Sequence, residues 1–325
     1  MDTATLRTET SGRNAAGPAI RLAGVTKRYG ALTAVDDLSL EIPRGRTVAL
    51  LGQNGAGKST TVGLLTGLAE PDAGTVRVGG LVPRAAVAGG RIAAMLQDCG
   101  LMPGGTVAEL VELGRRLYPA PTTAGAALDL AGRAGLGRRR VDRLSGGQVQ
   151  RLKFALVAVA NPDTMLLDEP TRALDVPGRR EFWAAMRAFA DSGRTILFAT
   201  HYLDEVEQNA DRVVVMARGR IIADGTPAEI RKASGGATVR FRLPGRAGQP
   251  GSPNVTGPAL PRQAQNHLRI DLPGIVAVDG EWVTVRTEDS DETVRALAAG
   301  HLPWQDLSVA PPSLDDSFLQ LTSEE

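Results

Sequence analysis

A glycine-rich loop of nine residues constrains the fold of this chain more than any other feature of its sequence. The loop consists of Gly52, Gln53, Asn54, Gly55, Ala56, Gly57, Lys58, Ser59 and Thr60. It follows the apolar run Thr47–Leu51 and opens a helical pattern, so its backbone N–H groups are expected to surround a phosphate. Lys58 is then expected against the β- and γ-phosphates of a nucleotide, and the Ser59 hydroxyl on Mg²⁺. The competing interpretation, a glycine turn that binds nothing, leaves this strand–loop–helix context unexplained.

Two consecutive acids end a second apolar run. Asp168 and Glu169 follow Met165–Leu167, so they are expected at the carboxyl end of a buried strand close to the loop. Asp168 is predicted to complete the Mg²⁺ shell, and Glu169 to project towards the γ-phosphate and polarise an attacking water. The alternative is that one of the acids only caps a helix or forms the turn before Pro170. Beside a phosphate loop, the catalytic interpretation is favoured.

The composition describes an ordinary globular protein. With 325 residues, 42% hydrophobic content and a formal net charge of +1, the chain gives no electrostatic reason to expect nucleic acid as its partner. Cys99 is the only cysteine, which excludes an internal disulfide and suits a reducing cytosol. The first eighteen residues are polar and predict no secretory signal. No apolar run approaches the roughly 18 residues of a membrane-spanning helix, so work at a membrane is expected to require a partner.

Short apolar runs alternate with helical spacing from Ile20 onwards, which predicts an α/β core with a mainly parallel sheet. The predicted strands are Thr47–Leu51, Thr75–Val78 (in a hairpin), Ile92–Leu96, Met165–Leu167, Thr195–Ala199 and Val213–Met216. The predicted helices are one that begins with Lys58–Thr66, Thr106–Leu117, one that Ser145 caps and that runs towards Ala160, and Pro177–Ala190.

The pattern changes after Arg242, where Leu243–Gln265 is rich in glycine and proline and is typical of a linker. We therefore predict a flexible tail at residues 1–18, a main domain at 19–235, and a C-terminal accessory domain at 236–325 that contains the linker 243–265. This last part is predicted to form a small α+β unit. Its predicted elements are strands at Ile275–Val278 and Trp282–Arg286, a helix at Asp291–Ala299, the apolar run Leu307–Ala310 and a helix at Ser313–Leu321.

A second glycine turn lies at a predicted helix N-terminus and comprises Leu144, Ser145, Gly146, Gly147 and Gln148. By the same physical argument it is another anion site. Two such sites cannot easily act on one γ-phosphate within one chain, unless a second copy contributes one of them across a dimer interface. Together with the phosphate loop and Asp168–Glu169, this turn resembles the signature of the ATP-binding-cassette (ABC) family over about residues 19–235.

The resemblance implies an α/β phosphate-loop NTPase of the ABC type, with a RecA-like core, an antiparallel β subdomain and a helical subdomain. It implies ATP and Mg²⁺ as ligands. It also implies a head-to-tail homodimer, or a pair with a related ATPase subunit, in which two ATP molecules are sandwiched. Each ATP would lie between the phosphate loop of one chain and the Ser145–Gln148 turn of the other, and hydrolysis would open the dimer.

Four further positions match the family's functional residues. Tyr29 stands where an aromatic ring stacks on adenine, and Gln97 where a glutamine senses Mg²⁺ and water and contacts the membrane partner. Asp175 matches the acid that bridges the dimer, and His201 matches the histidine that contacts the γ-phosphate and orients the catalytic Glu169. Taken alone, Tyr29, Gln97 and His201 would more often have no functional role. The family's commonest form is not kept at Val149 and Arg172, but neither change removes a catalytic group.

Two stretches, Thr200–Glu207 and Pro312–Thr322, resemble the bacterial drug-resistance exporter ATPases of the daunorubicin type. This implies a motor subunit on the cytoplasmic face of the cell membrane that powers efflux of a drug, antibiotic or lipid-like substrate through a separate multi-span permease. An ABC importer ATPase remains an alternative, as does a soluble ABC-type ATPase that acts on nucleic acid or ribosomes. The soluble class is disfavoured because only 87 positions (145 − 58) separate Lys58 from Ser145, with no coiled-coil heptads between them and a single cassette in the chain.

Overall fold

The computed structural model of the chain describes residues 17–97, 99–132, 134–233, 236–243, 274–300 and 303–310, together with Leu314, Ser317 and Phe318. The chain divides into two compact units, Met1–Pro227 and Ala228–Glu325. The predicted domain change between residues 235 and 236 lies eight residues (235 − 227) beyond this division. Most of the predicted tail, residues 1–16, and most of the predicted linker, residues 244–265, lie outside the described residues.

The first unit contains nine strands and seven complete helices within the described residues. Its strands are β1 (Ile20–Tyr29), β2 (Leu32–Ile42), β3 (Thr47–Leu51), β4 (Ala73–Val78), β5 (Ile92–Met95), β6 (Thr164–Asp168), β7 (Thr195–Thr200), β8 (Arg212–Ala217) and β9 (Arg220–Gly225). Its helices are α1 (Lys58–Thr66), α2 (Pro83–Ala88), α3 (Val107–Arg116), α4 (Ala124–Leu130), α5 (Gly146–Val159), α6 (Val176–Asp191) and α7 (Leu203–Asn209). A further helix, α8 (Pro227–Ala233), begins where the first unit ends.

The central sheet of this unit has six strands in the order β5-β6-β7-β3-β8-β9. The first five are parallel and β9 pairs antiparallel with β8. All residues of β3, β6 and β7 are buried, which explains why these strands are continuous apolar runs. The predicted α/β core with a mainly parallel sheet is confirmed. The carboxyl ends of its strands meet at one edge, which is where ligands bind in open α/β sheets.

A separate antiparallel sheet of three strands has the order β2-β1-β4. The sequence predicted Thr75–Val78 as a hairpin strand, and this pairing was wrong. Strand β4 instead pairs with β1, with Val78 opposite Ile20, so its neighbour lies more than 50 positions earlier in the chain. Alternation of apolar and polar residues indicates a strand but does not name its partner, because pairing is decided by tertiary packing.

Helices α3 and α5 begin as their sequences predict. Thr106 caps α3 through the backbone N–H of Glu109, whose side chain accepts in return from the Thr106 N–H. Ser145 and Gln148 form the same reciprocal pair at the start of α5. Helix α5 ends before Asn161, which adopts a positive φ of 53°. The Ser145 cap was predicted from the sequence, whereas the helix at Thr106–Leu117 was predicted from its apolar spacing, and both predictions agree with the observed bounds to within one residue.

The second unit contains β10 (Ala237–Arg242), β11 (Ile275–Asp279), β12 (Trp282–Thr287), β13 (Gln305–Ala310) and helix α9 (Ser290–Ala299). The four strands form an antiparallel sheet in the order β11-β12-β10-β13. Alternate residues such as Val239, Phe241 and Val283 are buried with Leu297 of α9. This is the small α+β unit that the sequence predicts. Of the predicted last helix, Ser313–Leu321, only the three isolated residues Leu314, Ser317 and Phe318 are described, and they are helical and buried.

Candidate nucleotide-binding and catalytic site

The phosphate loop connects β3 to α1 and lies tightly against neighbouring backbone. A Cβ atom at Gly52 would come within 2.6 Å of the Met216 carbonyl oxygen. Gly57, which precedes α1 with a φ of 103°, faces the Ala34 carbonyl oxygen still more closely. Both the left-handed conformation and the close approach require glycine at position 57. Glycine at positions 52 and 57 therefore allows the loop to pack against strands β2 and β8, where a side chain would not fit.

Lys58 is buried at the first position of α1. Its ammonium group donates to the carbonyl oxygens of Gly52, at 2.7 Å, and Gln53, at 3.1 Å. Burial lowers the pKa of Lys58 below its ordinary value, and the negative charges of Glu169 and Asp168 partly oppose this shift. An anion held by the loop would favour the charged form of Lys58 and exchange loop carbonyls for stronger charge-assisted contacts.

A cleft of about 230 Å³ opens beside the loop. Ten of the predicted site residues line it, namely Tyr29, Asn54, Gly55, Gly57, Lys58, Ser59, Thr60, Gln97, Asp168 and Glu169. Leu32 and Ala34 complete the lining. Tyr29 is half exposed, and the Lys27 ammonium lies 5.4 Å from the centre of its ring. The cleft therefore combines an exposed aromatic ring, a phosphate loop and two carboxylates.

Glu169 follows the last residue of β6 in a left-handed conformation, with a φ of 50°. Its backbone N–H donates to the Ala199 carbonyl at 2.9 Å. Its side chain is buried, and Oε1 lies 2.8 Å from Nδ1 of His201. The second oxygen, Oε2, is buried without a hydrogen-bond partner among the described residues. A non-glycine residue held at positive φ stores strain, and such strain is concentrated at functional sites.

The residues predicted for Mg²⁺ provide an incomplete set of ligands. Ser59, Gln97 and Asp168 line the same cleft, and they offer one hydroxyl, one amide and one carboxylate. Within the described part of the chain, no group of three His, Cys, Asp or Glu side chains is placed to hold a metal ion. Mg²⁺ usually takes one or two carboxylates and completes its shell with water and substrate phosphates. The donors present fit a metal that arrives with a nucleotide.

The turn Ser145–Gln148 lies apart from this cleft. Gln148 Oε1 accepts from the Ser145 N–H and from Arg139 Nη1, both at 3.1 Å. None of these four turn residues, all of them described, is among the residues that line the cleft. Its use of a nucleotide held by a second copy stays a prediction.

Asp175 occupies the N-cap position of α6. Its Oδ1 accepts from the Gly178 N–H at 2.9 Å, so within one chain the residue has a local capping function. The predicted contact of Asp175 across a dimer is a separate expectation, and it stays a prediction.

Two residues that sequence reasoning missed lie on α5. The Gln150 side-chain amide donates to the carbonyl oxygens of Glu169, at 3.1 Å, and Pro170, at 2.7 Å. The Lys153 ammonium donates to the Gln97 carbonyl oxygen at 3.1 Å. Backbone carbonyls are present at every position, so no pattern of residue types in the sequence predicts these contacts.

A third missed residue is Glu205, whose carboxylate is buried behind the Glu169–Asp175 turn. It accepts a short hydrogen bond from the Thr171 hydroxyl, and Arg179 lies 3.9 Å away. Burial raises the pKa of Glu205, the Thr171 hydrogen bond and the Arg179 charge oppose the shift, and the Glu169 charge adds to it. The folded protein therefore holds an ionised Glu205 at a cost in stability.

We expect Glu205→Gln to stabilise the protein relative to the wild type at neutral and alkaline pH. Folding raises the pKa of Glu205 above its ordinary value of 4.5, so the folded state binds more protons over the interval between the two pKa values. The contribution of Glu205 to the free energy of unfolding of the wild type consequently decreases as pH rises from about that ordinary value through the folded pKa. Glutamine keeps an acceptor for Thr171 but cannot ionise. The free energy of unfolding in urea, measured from pH 5 to pH 8, should show the advantage of the variant growing with pH.

The exposed Glu288, in the second unit, supplies the control for this measurement. Glu288→Gln should follow the wild-type pH dependence throughout. A constant difference between Glu205→Gln and the wild type over the whole pH range would contradict the expectation.

Comparisons with known proteins show the family to which the chain is similar. Residues 35–172 match the family model described as ABC transporter. The chain is 37% identical over 317 residues to the daunorubicin/doxorubicin resistance ATP-binding protein DrrA of Streptomyces peucetius, covering 94% of this chain and 92% of that protein. It is 34% identical over 319 residues to Nod factor export ATP-binding protein I of Ralstonia nicotianae, covering 95% of each.

A solved structure is similar as well. The dimeric structure of a bacterial ABC transporter cassette matches with a TM-score of 0.59 and 25% identity, over 64% of this chain and 98% of that chain. In the portion of the present chain that the structure describes, every helix is too short or too polar to cross a bilayer.

Proposed function

This chain belongs to the ATP-binding-cassette family as an ATP-hydrolysing subunit of exporter type, and we propose that it drives efflux of a drug, an antibiotic or a lipid-like compound through separate membrane subunits. The observation that carries the proposal is the Glu169–His201 pair beside the phosphate loop, in a chain that is similar over nearly its whole length to exporter ATPases. The site supplies the chemistry, and the extended similarity supports the export assignment.

We propose that ATP binds with its adenine against Tyr29 and its phosphates in the loop Gly52–Thr60. Lys58 turns its ammonium from the loop carbonyls towards the β- and γ-phosphates. Mg²⁺, held with the phosphates by Ser59, Gln97 and Asp168, would neutralise charge on the phosphate oxygens. The lining of the cleft contains both the exposed Tyr29 ring, which suits stacking on adenine, and the buried Lys58, which suits the phosphates.

Hydrolysis is assigned to Glu169, with His201 and Gln97 assisting. The buried Oε2 atom of Glu169 takes a proton from water as the water oxygen bonds to the γ-phosphorus. The bond between the γ-phosphorus and the β–γ bridging oxygen breaks, so that ADP leaves with that oxygen and phosphate is released. With its proton on Nδ1, His201 donates to Oε1 and keeps the carboxylate aimed into the cleft. Gln97 presents its amide to the same water. Glu169 is well suited to this function because one oxygen is occupied by His201 and the other is available.

The site becomes complete only in a dimer on this proposal. The Ser145–Gln148 turn forms the N-terminus of α5, a helix of 14 residues, and none of its four residues lines the cleft of its own chain. A second copy arranged head to tail would place this turn on the γ-phosphate of the first copy, with Asp175 at the interface. Closure with ATP and opening after hydrolysis would then supply the motion that transport requires.

The proposed cellular location of the protein follows from its proposed membrane partner. We propose that the protein binds a separate multi-span permease at the cytoplasmic face of the cell membrane. Its relatives are named for resistance to daunorubicin and doxorubicin and for export of Nod factor, which supports a drug or a lipid-like compound as cargo. The cargo-binding surface would belong to the permease.

A test of this proposal is to identify a multi-span membrane protein encoded beside the gene of this chain and to express the two together. We expect the two to purify together, and amphiphilic drugs to stimulate ATP hydrolysis by the complex in liposomes. Lys58→Met in the same complex should abolish the stimulated activity. Stimulation by DNA or ribosomes, with no membrane protein bound, would refute the transporter assignment, and dependence on a substrate-binding protein would indicate import.

A further inference from the structure

Gln150 and Lys153 lie one helical turn apart on the same side of α5. The two side chains bind different segments of the backbone. Gln150 binds the backbone of Glu169 and Pro170 after β6, whereas Lys153 binds the backbone of Gln97 after β5. One face of this helix therefore holds the two loops that carry the proposed water-polarising residues.

The Gln150 contacts fall on the most strained part of the site. Glu169 is held at a φ of 50°. Such a conformation is strained and persists only where surrounding contacts fix it. A primary amide nitrogen has two hydrogens, so Gln150 Nε2 can satisfy both carbonyl oxygens at once. The position of Gln150 thus fixes the direction in which the Glu169 side chain leaves the backbone.

The same helix starts at the Ser145–Gln148 turn. Gln150 lies four residues after Gly146, about 6 Å along the helix axis, and Lys153 lies about 4.5 Å further. Because an α-helix moves as a rigid element over such distances, a displacement of its first turn is transmitted to both side chains. Leu152, Phe154 and Ala155 of α5 are buried in the protein core, so apolar packing holds the helix in addition to the two polar contacts.

We propose that Gln150 and Lys153 are positioning residues that couple the Ser145–Gln148 turn of a chain to that chain's own Glu169 and Gln97. The inference rests on the dimeric ATPase proposed above. When the turn receives the γ-phosphate of the nucleotide held by the second copy, α5 sets the water-polarising residues of its own site. Each nucleotide therefore promotes hydrolysis of the other, because the two sites of a symmetric homodimer are connected by the same contacts.

The first test is Gln150→Glu in the full chain, with its membrane subunits where turnover needs them. Glutamate has nearly the same shape, but its ionised carboxylate cannot donate to the two carbonyls. We expect kcat to fall about 10-fold or more and the Hill coefficient for ATP to fall towards 1. KM and the binding of a fluorescent ATP analogue should change less than twofold. Gln208→Glu makes the same charge change at an exposed position of α7 and should behave as wild type.

The second test uses Lys153, so that the conclusion does not depend on one variant folding. Lys153→Met keeps the length of the side chain and removes the donor, and Lys153→Arg restores a donor. We expect the methionine variant to lose cooperativity and part of kcat, and the arginine variant to recover both. Lys232→Met, at an exposed position of α8, is the matched control. Thermal unfolding of every variant identifies any loss that results from misfolding.

Failure of this inference is distinguishable from failure of the proposed function. Wild-type kcat and Hill coefficient in both Gln150→Glu and Lys153→Met would overturn the coupling while the ATPase assignment survives. A parallel loss of nucleotide binding and kcat would also overturn it, because the residues would then support binding rather than position Glu169. A wild-type chain that neither hydrolyses ATP nor dimerises with it would overturn the proposed function itself.

Discussion

Replacing Glu169 with glutamine is expected to lower ATP turnover by about 100-fold or more while ATP still binds. Glutamine keeps the shape of the side chain and an oxygen for the His201 contact, but it cannot accept the proton of the attacking water. The phosphate loop and Lys58 are unchanged, so the nucleotide affinity should remain close to that of the wild type. Because hydrolysis is needed to open the proposed dimer, the variant should accumulate as an ATP-bound dimer.

The measurements for this variant are phosphate release, binding of a fluorescent ATP analogue, and molar mass by light scattering with and without ATP. Glu288→Gln, at an exposed position of the second unit, is the matched control and should keep wild-type turnover. His201→Ala should also reduce kcat, since it removes the contact to Glu169 Oε1. Normal steady-state hydrolysis by Glu169→Gln would remove Glu169 from the catalytic function.

The sequence predicted best those elements whose information is local. The runs Thr47–Leu51 and Thr195–Ala199 are continuous and apolar because their strands are buried on both faces, and both strands were placed correctly. The caps Thr106 and Ser145 mark helix starts because each side chain bonds within its own first turn. Such signals need no knowledge of the rest of the fold.

Pairing between distant strands is a different kind of information. Strands β1 and β2 have 10 and 11 residues, and their pairing shifts register near Val25 and Lys27. A β-bulge interrupts the alternation of inward and outward residues, so the sequence loses its period of two there. The partner of β4 was predicted wrongly for the related reason that a strand pattern does not identify its neighbour.

The candidate site shows the same division. The loop, Asp168, Glu169, Gln97 and Tyr29 were found as motif positions, and the structure brings them to one cleft. Gln150 and Lys153 were missed because they bind backbone carbonyls. Glu205 was missed because it binds Thr171, which lies 34 positions earlier in the chain, and no sequence motif connects the two residues. Contacts that position a catalytic group become visible only once the fold is known.

Mixing two inactive variants is expected to restore ATP hydrolysis, if each site is shared between two chains. Lys58→Met removes the cation of the phosphate loop. Gly146→Asp adds a negative charge to the first turn of α5, where it repels a phosphate, and a Cβ atom there makes only ordinary contacts. Each variant alone has both sites defective. In a mixed dimer, one site combines the intact loop of the Gly146→Asp chain with the intact turn of the Lys58→Met chain.

Random pairing in an equal mixture makes half of the dimers mixed, each with one of its two sites intact, so activity of up to about a quarter of the wild-type value is expected. The coupling proposed above lowers this value, because the intact site then lies opposite a defective one. Mixing wild type with the double variant Lys58→Met/Gly146→Asp separates the two arrangements. If the sites are shared, both sites of every mixed dimer in that second mixture are defective, because each combines an intact element of the wild-type chain with a defective element of the double variant. Activity then comes only from wild-type dimers. If each site is built within one chain, the mixed dimers of the second mixture keep the active site of their wild-type chain. The first mixture then stays inactive, because every chain in it is defective. The two mixtures therefore give opposite results for the two arrangements, and the phosphate released by each decides whether the Ser145–Gln148 turn serves its own chain or the second copy.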